Sequence, residues 1–492
     1  MTVDVLVIGG GNAGLCAALA AAEGGVRVLL LERAPADKRG GNSFVTAGAF
    51  RFPYRGVDDV AQIVSDPALR TPGAVEIGEY AEAEFLGDMQ RLTNGKADPE
   101  LSRVLVSQAF STVKWLCRNG VEFVLAYDRQ SFLVDGRHRF WGGLIVKTQG
   151  EGPGLIGTLL RACEIAGVTV QYECRATALT WDSARGHWRV QTTVGGTTRD
   201  YRAQAVVLAC GGFEANSQMR VEHLGLRWQD AKVRGPHYNT GDGIQMALAA
   251  GAQPFGDWHG CHAVAWDLNA PPYNDERLGQ HFERDSYPLG IYVNIRGERF
   301  VDEGADFRNY TYARYGQEII RQPKGVAFQI FDQKVVPLLR KPYTLARTTR
   351  VEATTIAELA RQAGIDAPGL ERTVAAYNAA VDPAPFNPAT KDGKAARAIT
   401  PPKSNWAQRI DSPLYVCFPV TCGITFTFGG VRITPAAEVV GSDGRPLPGL
   451  FACGEMVGGL FYDNYPGGSG LMSGAVFGRA AGASAASHIL ST

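Results

Sequence analysis

Apolar residues run from Val3 to Ile8 with only Asp4 between them, and from Val26 to Leu31 with only Arg27 between them. Short β-branched runs of this kind predict strands buried on both faces. Leu15 to Glu23, rich in Ala and Leu, predicts a helix between them. Further on, residues 75–120 read as mainly helical, with Leu101 to Leu116 amphipathic and Asn119-Gly120 as its stop. Gly150 to Ala166 predicts another helix and residues 168–172 a strand. Alternating runs at 176–181 and 188–193 flank Asp182 to Gly186 and predict a hairpin. Residues 205–209 form a further buried strand, and Thr240-Gly241-Asp242-Gly243 starts a helix reaching Ala250.

The texture changes near Pro254. Aromatic, His, Pro and charged residues interleave up to Ser412, with a Pro-, Ala- and Lys-rich linker expected at 382–402. Glycine and small apolar residues return after Ser412. Gly449 to Glu455 is a strand entering a turn, and Pro466 to Leu471 leads into a helix from Met472 to Ile489. The expected division is 1–254 and 412–492 as two parts of one domain, with 255–411 inserted between them.

The first turn reads Gly9-Gly10-Gly11-Asn12-Ala13-Gly14, a G-x-G-x-x-G between strand and helix. Gly9 allows the tight turn, Gly11 the close approach of a pyrophosphate, and Gly14 the packing of helix on strand. The anion then rests on the helix N-terminus. Glu32 ends the second strand, where an acid can bind a ribose. The motif alone does not separate NAD from FAD.

Lys+Arg and Asp+Glu number 49 each, so no global field draws nucleic acid or an anionic membrane. Nine scattered cysteines without a C-x-x-C pair fit reduced thiols in a cytoplasm better than a disulfide frame or a zinc site. The apolar start lacks the basic flank of a secretory leader, and no stretch has the apolar length to span a bilayer. A cytoplasmic protein is expected.

Several segments together resemble the FAD-dependent fumarate reductase and succinate dehydrogenase flavoprotein superfamily. They are the N-terminal turn, Gly40-Gly41-Asn42-Ser43, Leu208 to Phe213, Thr240 to Gly243, and Gly454-Glu455. The wording of 39–43, 304–312 and 464–471 looks most like tricarballylate dehydrogenases. The resemblance implies an α/β fold: a Rossmann-like, glutathione-reductase-type FAD-binding domain carrying an inserted α+β substrate-capping domain, to whose strand-turn-strand residues 293–303 are similar. It selects FAD. It also implies that Glu32 binds the adenosine ribose, Glu455 the ribityl chain, and Gly40, Gly41, Asn42 and Ser43 the pyrophosphate and flavin. Asn12, Ala13, Arg33, Ala209, Gly211, Gly212, Asp242 and Gly454 belong to the same implied site. Ser469, Gly470 and Leu471 would set backbone N–H groups near the flavin pyrimidine. Asn42-Ser43 stands where some relatives attach FAD through a His, so binding is expected to be non-covalent.

For chemistry, the resemblance implies hydride transfer between flavin N5 and a carbon–carbon bond of a di- or tricarboxylate, with tricarballylate to cis-aconitate the leading candidate. Arg308 falls where the family's proton-exchanging arginine lies, with one extra residue after Glu303; a plain carboxylate clamp is its competing role. Glu283 matches a relay glutamate, but Ser286 stands at the relay arginine, with Arg284 as a stand-in. His259 sits near the family's first substrate His, with His262 as competitor. Thr425 to Gly430 and Tyr465-Pro466 replace a His and an Arg of the fumarate site. Tyr415 resembles the oxyanion donor of 3-ketosteroid dehydrogenases, the alternative enzyme reading beside a fumarate-reductase-like one. A flavin-holding module without catalysis is the alternative outside enzymes. A membrane-associated iron–sulfur protein is the implied electron partner.

Overall fold

The computed structural model describes residues 2–274, 277 and 279–491. Strand β1 (Thr2–Ile8) lies at the centre of an eight-stranded sheet. It pairs in parallel with β2 (Val28–Leu31) on one side and with Thr197–Leu208 on the other. Thr169–Gln171 continues the parallel order beyond β2, and Pro446–Ala452 adds to the far side of the 197–208 strand. Helix α1 (Asn12–Glu23) makes the crossover from β1 to β2. The expected hairpin forms as Cys174–Asp182 against His187–Val194, and the second arm pairs with 197–208 as a meander. That third strand begins earlier than its apolar run. Its outer half is largely exposed and polar, so only 205–208 carries the continuous buried signal.

Both faces of the parallel strands are covered. Helix Ser469–Ser491 lies along α1, and its Gly474, Gly478 and Gly482 meet Asn12, Ala13 and Ala17. A Cβ at Gly478 or Gly482 would collide with the carbonyl oxygen of Ala13 or Ala17. Four-residue spacing keeps these glycines on one helix face, which lets the two backbones approach.

The second sheet joins Pro254–Asp267 to Tyr415–Val431, antiparallel over most of their length. Val326–Phe331, Ile291–Val293, Val351–Ala353 and Lys232–Val233 complete it. The 415–431 strand thus belongs to this sheet, although the sequence division assigned it to the returning FAD part. Pro419, Gly423, Gly429 and Gly430 interrupt its pattern and hide it from a reading by periodicity. Of the strand-turn-strand expected over 293–303, the second strand does not form. The Glu303 carboxylate accepts the Tyr292 N–H (2.8 Å) and the Arg299 Nε (3.1 Å), so a side chain takes the place of a backbone ladder. The 382–402 segment is irregular but not loose: Ala395 and Ala396 are fully buried, and Lys394 Nζ ties the Asp382 (2.7 Å) and Ala384 (2.5 Å) carbonyls.

Candidate active site

A deep cleft opens at the carboxyl ends of β1 and the 197–208 strand and runs to the second sheet. Open α/β sheets bind ligands at this end, where strand order reverses. Gly9, Gly11, Asn12, Ala13, Glu32, Arg33, Gly41, Asn42, Ser43, Ala209, Gly211, Asp242, Gly454, Glu455, Gly470 and Leu471 line it. Gly14, Gly40, Gly212 and Ser469 lie behind its wall. Gly14 lets α1 sit on Gly9, whose oxygen a Cβ would strike. Gly40 takes φ +97° under Ile156, and a Cβ on Gly212 would strike the Glu455 carboxyl.

Glu32 is 6% exposed, and its carboxylate already accepts Gly10 N–H (2.8 Å) and Ala34 N–H (2.8 Å). Burial raises its pKa against those donors. Asp242 holds Arg33 (3.2 Å) and Arg175 (2.6 Å) at the same end. Burial opposes its ionisation, but the Arg175 hydrogen bond and the Arg33 charge keep its carboxyl below the usual value. These residues fit FAD. The N-cap of α1 is Gly11, with no side chain of its own to cap it, although Ser43 Oγ accepts the Asn12 N–H at 3.1 Å; Asn42 Oδ1 and Thr425 Oγ1, both buried atoms of the cleft wall, have no partner.

At the other end stand four guanidinium groups, those of Arg129, Arg234, Arg308 and Arg340, around the carboxylates of Glu283 and Asp285. Arg308 Nη1 meets Asp285 at 2.8 Å, and its Nη2 donates to the Arg129 carbonyl at 2.8 Å. Arg129 and Arg234 each reach Glu283 at 3.1 Å. Arg340 pairs with Asp285 and lies 3.7 Å from Glu283. Burial alone would raise the Glu283 pKa, but the surrounding arginines hold it far below the usual range. Burial and the neighbouring Arg129 charge push the Arg340 guanidinium down to about 10. Arg129, Arg234 and Arg308 line the cleft. Arg308 is also the first residue of helix Arg308–Ile320, where the helix dipole disfavours a cation. Local helix stability does not explain its presence there.

Among the described residues, four cations face two anions here, an excess of two positive charges around a buried site. A buried unpaired charge costs several kcal/mol, which an anionic ligand would offset. Beside them, His262 is 1% exposed with neither ring nitrogen hydrogen-bonded. Its ring stacks on Phe426 (5.1 Å between centroids) and meets Tyr312 and Tyr465 edge-on at 4.9 Å each. Burial and the nearby Arg234 hold its pKa well below the ordinary value, so the imidazole is neutral. The Tyr312 and Tyr465 hydroxyls lie 2.5 Å apart, and burial raises both phenols, keeping them protonated.

Two of the residues expected to be catalytic stand elsewhere. His259 is exposed, with Nδ1 at 2.6 Å from the His223 carbonyl. Register shifts between Asp257 and Cys261 and after His262 turn it away from the cleft and His262 into it. Tyr415 starts its strand opposite Ala353, away from the cleft wall. Glu283 is fully buried behind the cleft lining, held by Arg129 and Arg234. Arg284 is committed to Asp267 (2.7 Å) and to carbonyls at His281, Glu283 and Pro342. Arg129, Arg234, Arg340 and Asp285 carried no sequence signal, since each comes from a different segment or an unremarkable position.

A dinucleotide cleft leading from a parallel sheet to a cationic pocket is the architecture of a nucleotide-dependent oxidoreductase. Residues 4–471 match the family of FAD binding domains, and the chain belongs to that family. It is 30% identical over 498 residues to a probable fumarate reductase of Shewanella frigidimarina, covering 99% of this chain and 76% of the relative. It is 28% identical over 504 residues to a urocanate reductase of Eggerthella lenta, covering 98% and 74%. Among solved structures, the open conformation of a flavocytochrome c3 fumarate reductase superposes with a TM-score of 0.73 at 27% identity, covering 99% and 79%. The protein is an FAD-dependent oxidoreductase of the fumarate reductase family, acting on carbon–carbon double or CH–CH bonds. No helix among the described residues is long and apolar enough to cross a membrane.

Proposed function

We propose that the protein moves a hydride between FAD and a CH–CH or C=C bond of a small di- or tricarboxylate. The cluster of Arg129, Arg234 and Arg308 on the cleft wall, with two positive charges in excess among the described residues, carries this reading. Bound FAD supplies the hydride-exchanging ring; the chain's own groups bind, orient and exchange the proton. Arg129, Arg234 and Arg308 bind carboxylates, with the planar fork that suits bidentate contact. His262, Tyr312 and Tyr465 are neutral donors for a further oxygen. Arg308 exchanges the substrate proton, and its 2.8 Å contact with Asp285 supports passage onward to Arg340, whose side chain is 12% exposed. In this reading Glu283 fixes the arginines, and the relay leaves through Asp285.

Tricarballylate to cis-aconitate is the specific substrate proposed. Its support is the wording of 304–312 and 464–471 and the Tyr465-Pro466 that replaces a fumarate-site arginine. The named relatives are reductases of fumarate and urocanate, so reduction of a C4 diacid is the competing assignment. Non-covalent FAD is proposed because Asn42 is tied to Glu214 (2.5 Å) and the Thr425 carbonyl (2.9 Å) and offers no linking nucleophile. A cytoplasmic enzyme passing electrons to a membrane-associated iron–sulfur protein completes the proposal, with residues 255–411 as the cap over substrate.

Anaerobic titration with tricarballylate, succinate and a 3-ketosteroid tests it. Bleaching of the yellow chromophore by tricarballylate alone is expected. Bleaching by succinate or the steroid alone would overturn the substrate. Bleaching by none, with fumarate also failing to reoxidise the dithionite-reduced protein, would overturn carboxylate chemistry.

A further inference from the structure

Glu214 follows the Gly211-Gly212-Phe213 turn and is fully buried, just behind the cleft wall. Its Oε1 accepts Asn42 Nδ2 at 2.5 Å and Asn239 Nδ2 at 2.7 Å. Its Oε2 is buried with no donor. Glu455 lies on the wall over the backbone of Gly212, and its Oε1 accepts the Thr427 N–H at 2.8 Å and the Thr427 hydroxyl at 3.3 Å. The two carboxyl groups are within hydrogen-bonding reach of each other. Among the described residues, no cation forms an ion pair with either. Arg220 is close to Glu214, but its guanidinium donates to the backbone carbonyls of Glu214, Trp228 and Gln229. Cys261 is the other titratable group facing Glu214, and it is held as a neutral thiol by burial.

Two acids in this position cannot both ionise cheaply, because like charges in a shared buried site push one pKa up. The hydrogen bonds say which acid keeps the proton. Glu214 has two amide donors on one oxygen, as an anion requires, and an empty lone pair on the other. Glu455, the carboxyl group beside it, can fill it once protonated. We infer that Glu455 carries a proton, donates it in a hydrogen bond to Glu214 Oε2, and so presents a neutral acid to the cofactor. Glu214 is then a positioning residue for FAD that never touches the cleft. The pair carries one negative charge instead of two beside a cofactor with two anionic phosphates. Burial raises both acids; the contact with Glu455 works to lower Glu214, whereas the Glu214 charge and hydrogen bond raise Glu455 further, in agreement with this assignment.

The inference rests on the chain holding FAD and is independent of the substrate proposed above. Its test uses the full chain and two readouts that do not depend on turnover. Difference infrared spectra at neutral pH should show the carbonyl stretch of a protonated carboxylic acid, lost in Glu455→Gln and in Glu214→Gln. FAD affinity of the apoprotein, followed by flavin fluorescence quenching, should weaken by up to about tenfold per pH unit once alkali removes the shared proton. Glu214→Gln replaces that proton with an amide donor, so its FAD affinity should stay near the wild-type neutral value and lose the alkaline decline. Absence of the acid band in the wild type, or an alkaline decline unchanged in Glu214→Gln, would overturn the proposal. If Glu455→Gln fails to fold, Glu214→Gln alone decides it.

Discussion

Replacing Arg308 separates proton exchange from simple carboxylate binding. Arg308→Ala removes a charged contact to Asp285 (2.8 Å) and a donor to the Arg129 carbonyl (2.8 Å). Asp285 keeps Arg340, and Arg129 stands 3.9 Å away, so the carboxylate is not left bare. The stability cost should therefore stay near that of one charged hydrogen bond, about 1.5–3 kcal/mol. Loss of a general acid or base lowers rate by about 10²–10⁴, or roughly 3–5 kcal/mol of barrier. Anaerobic rapid mixing should show flavin bleaching by substrate slowed to this extent, while bleaching by dithionite is unchanged. Arg308→Lys keeps charge but loses the planar fork, and it should recover binding more than rate. The reasoning fails if Arg308→Ala keeps a near-normal kcat with only KM raised, the mark of uniform binding loss. Arg308 would then be a carboxylate clamp.

His262→Leu should leave Tm unchanged or raise it, because neither ring nitrogen has a protein partner to lose, while substrate KM rises; a clear fall in Tm would make the imidazole structural. Lys403 is buried with Nζ on the Pro288 (2.7 Å) and Gly290 (2.5 Å) carbonyls, and burial pushes it down to about 8. The unfolded chain holds that proton up to roughly pH 10.4, so between these values the unfolded state binds more protons and stability rises with pH. Unfolding free energies from urea titration, wild type minus Lys403→Met, should climb by about 3 kcal/mol over this window; a flat difference would refute it. Subtraction is needed because buried thiols such as Cys417, raised by burial, act with the opposite sign.

The β1–α1–β2 unit was legible because its signals are local: two apolar runs, a glycine turn between them, and an acid on schedule. The 415–431 strand was not, since its glycines and Pro419 broke the pattern and its partner strand lies at 254–267. Choosing between His259 and His262 depended on irregular pairing between Asp257 and Cys261, and one residue of register reverses which side chain faces inward. The charge cluster was half visible. Arg308 and Glu283 stood in a recognisable order, whereas Arg129 comes from a single helical turn and Arg340 from a loop. Only tertiary structure brings them within reach of the same carboxylates.

The pairing of α1 with helix 469–491 also constrains how the protein is made. Asn12 Nδ2 donates to the Leu471 carbonyl across 459 residues of sequence. Synthesis runs at about 5–20 residues per second, so α1 leaves the ribosome roughly 20–90 s before its glycine-faced partner exists. During that interval the face of α1 that meets helix 469–491 has no native cover, and the nucleotide cleft lacks Glu455, Gly470 and Leu471. Cofactor capture is therefore a post-translational event, and the nascent first third of the chain is the span in which chaperones have most to protect.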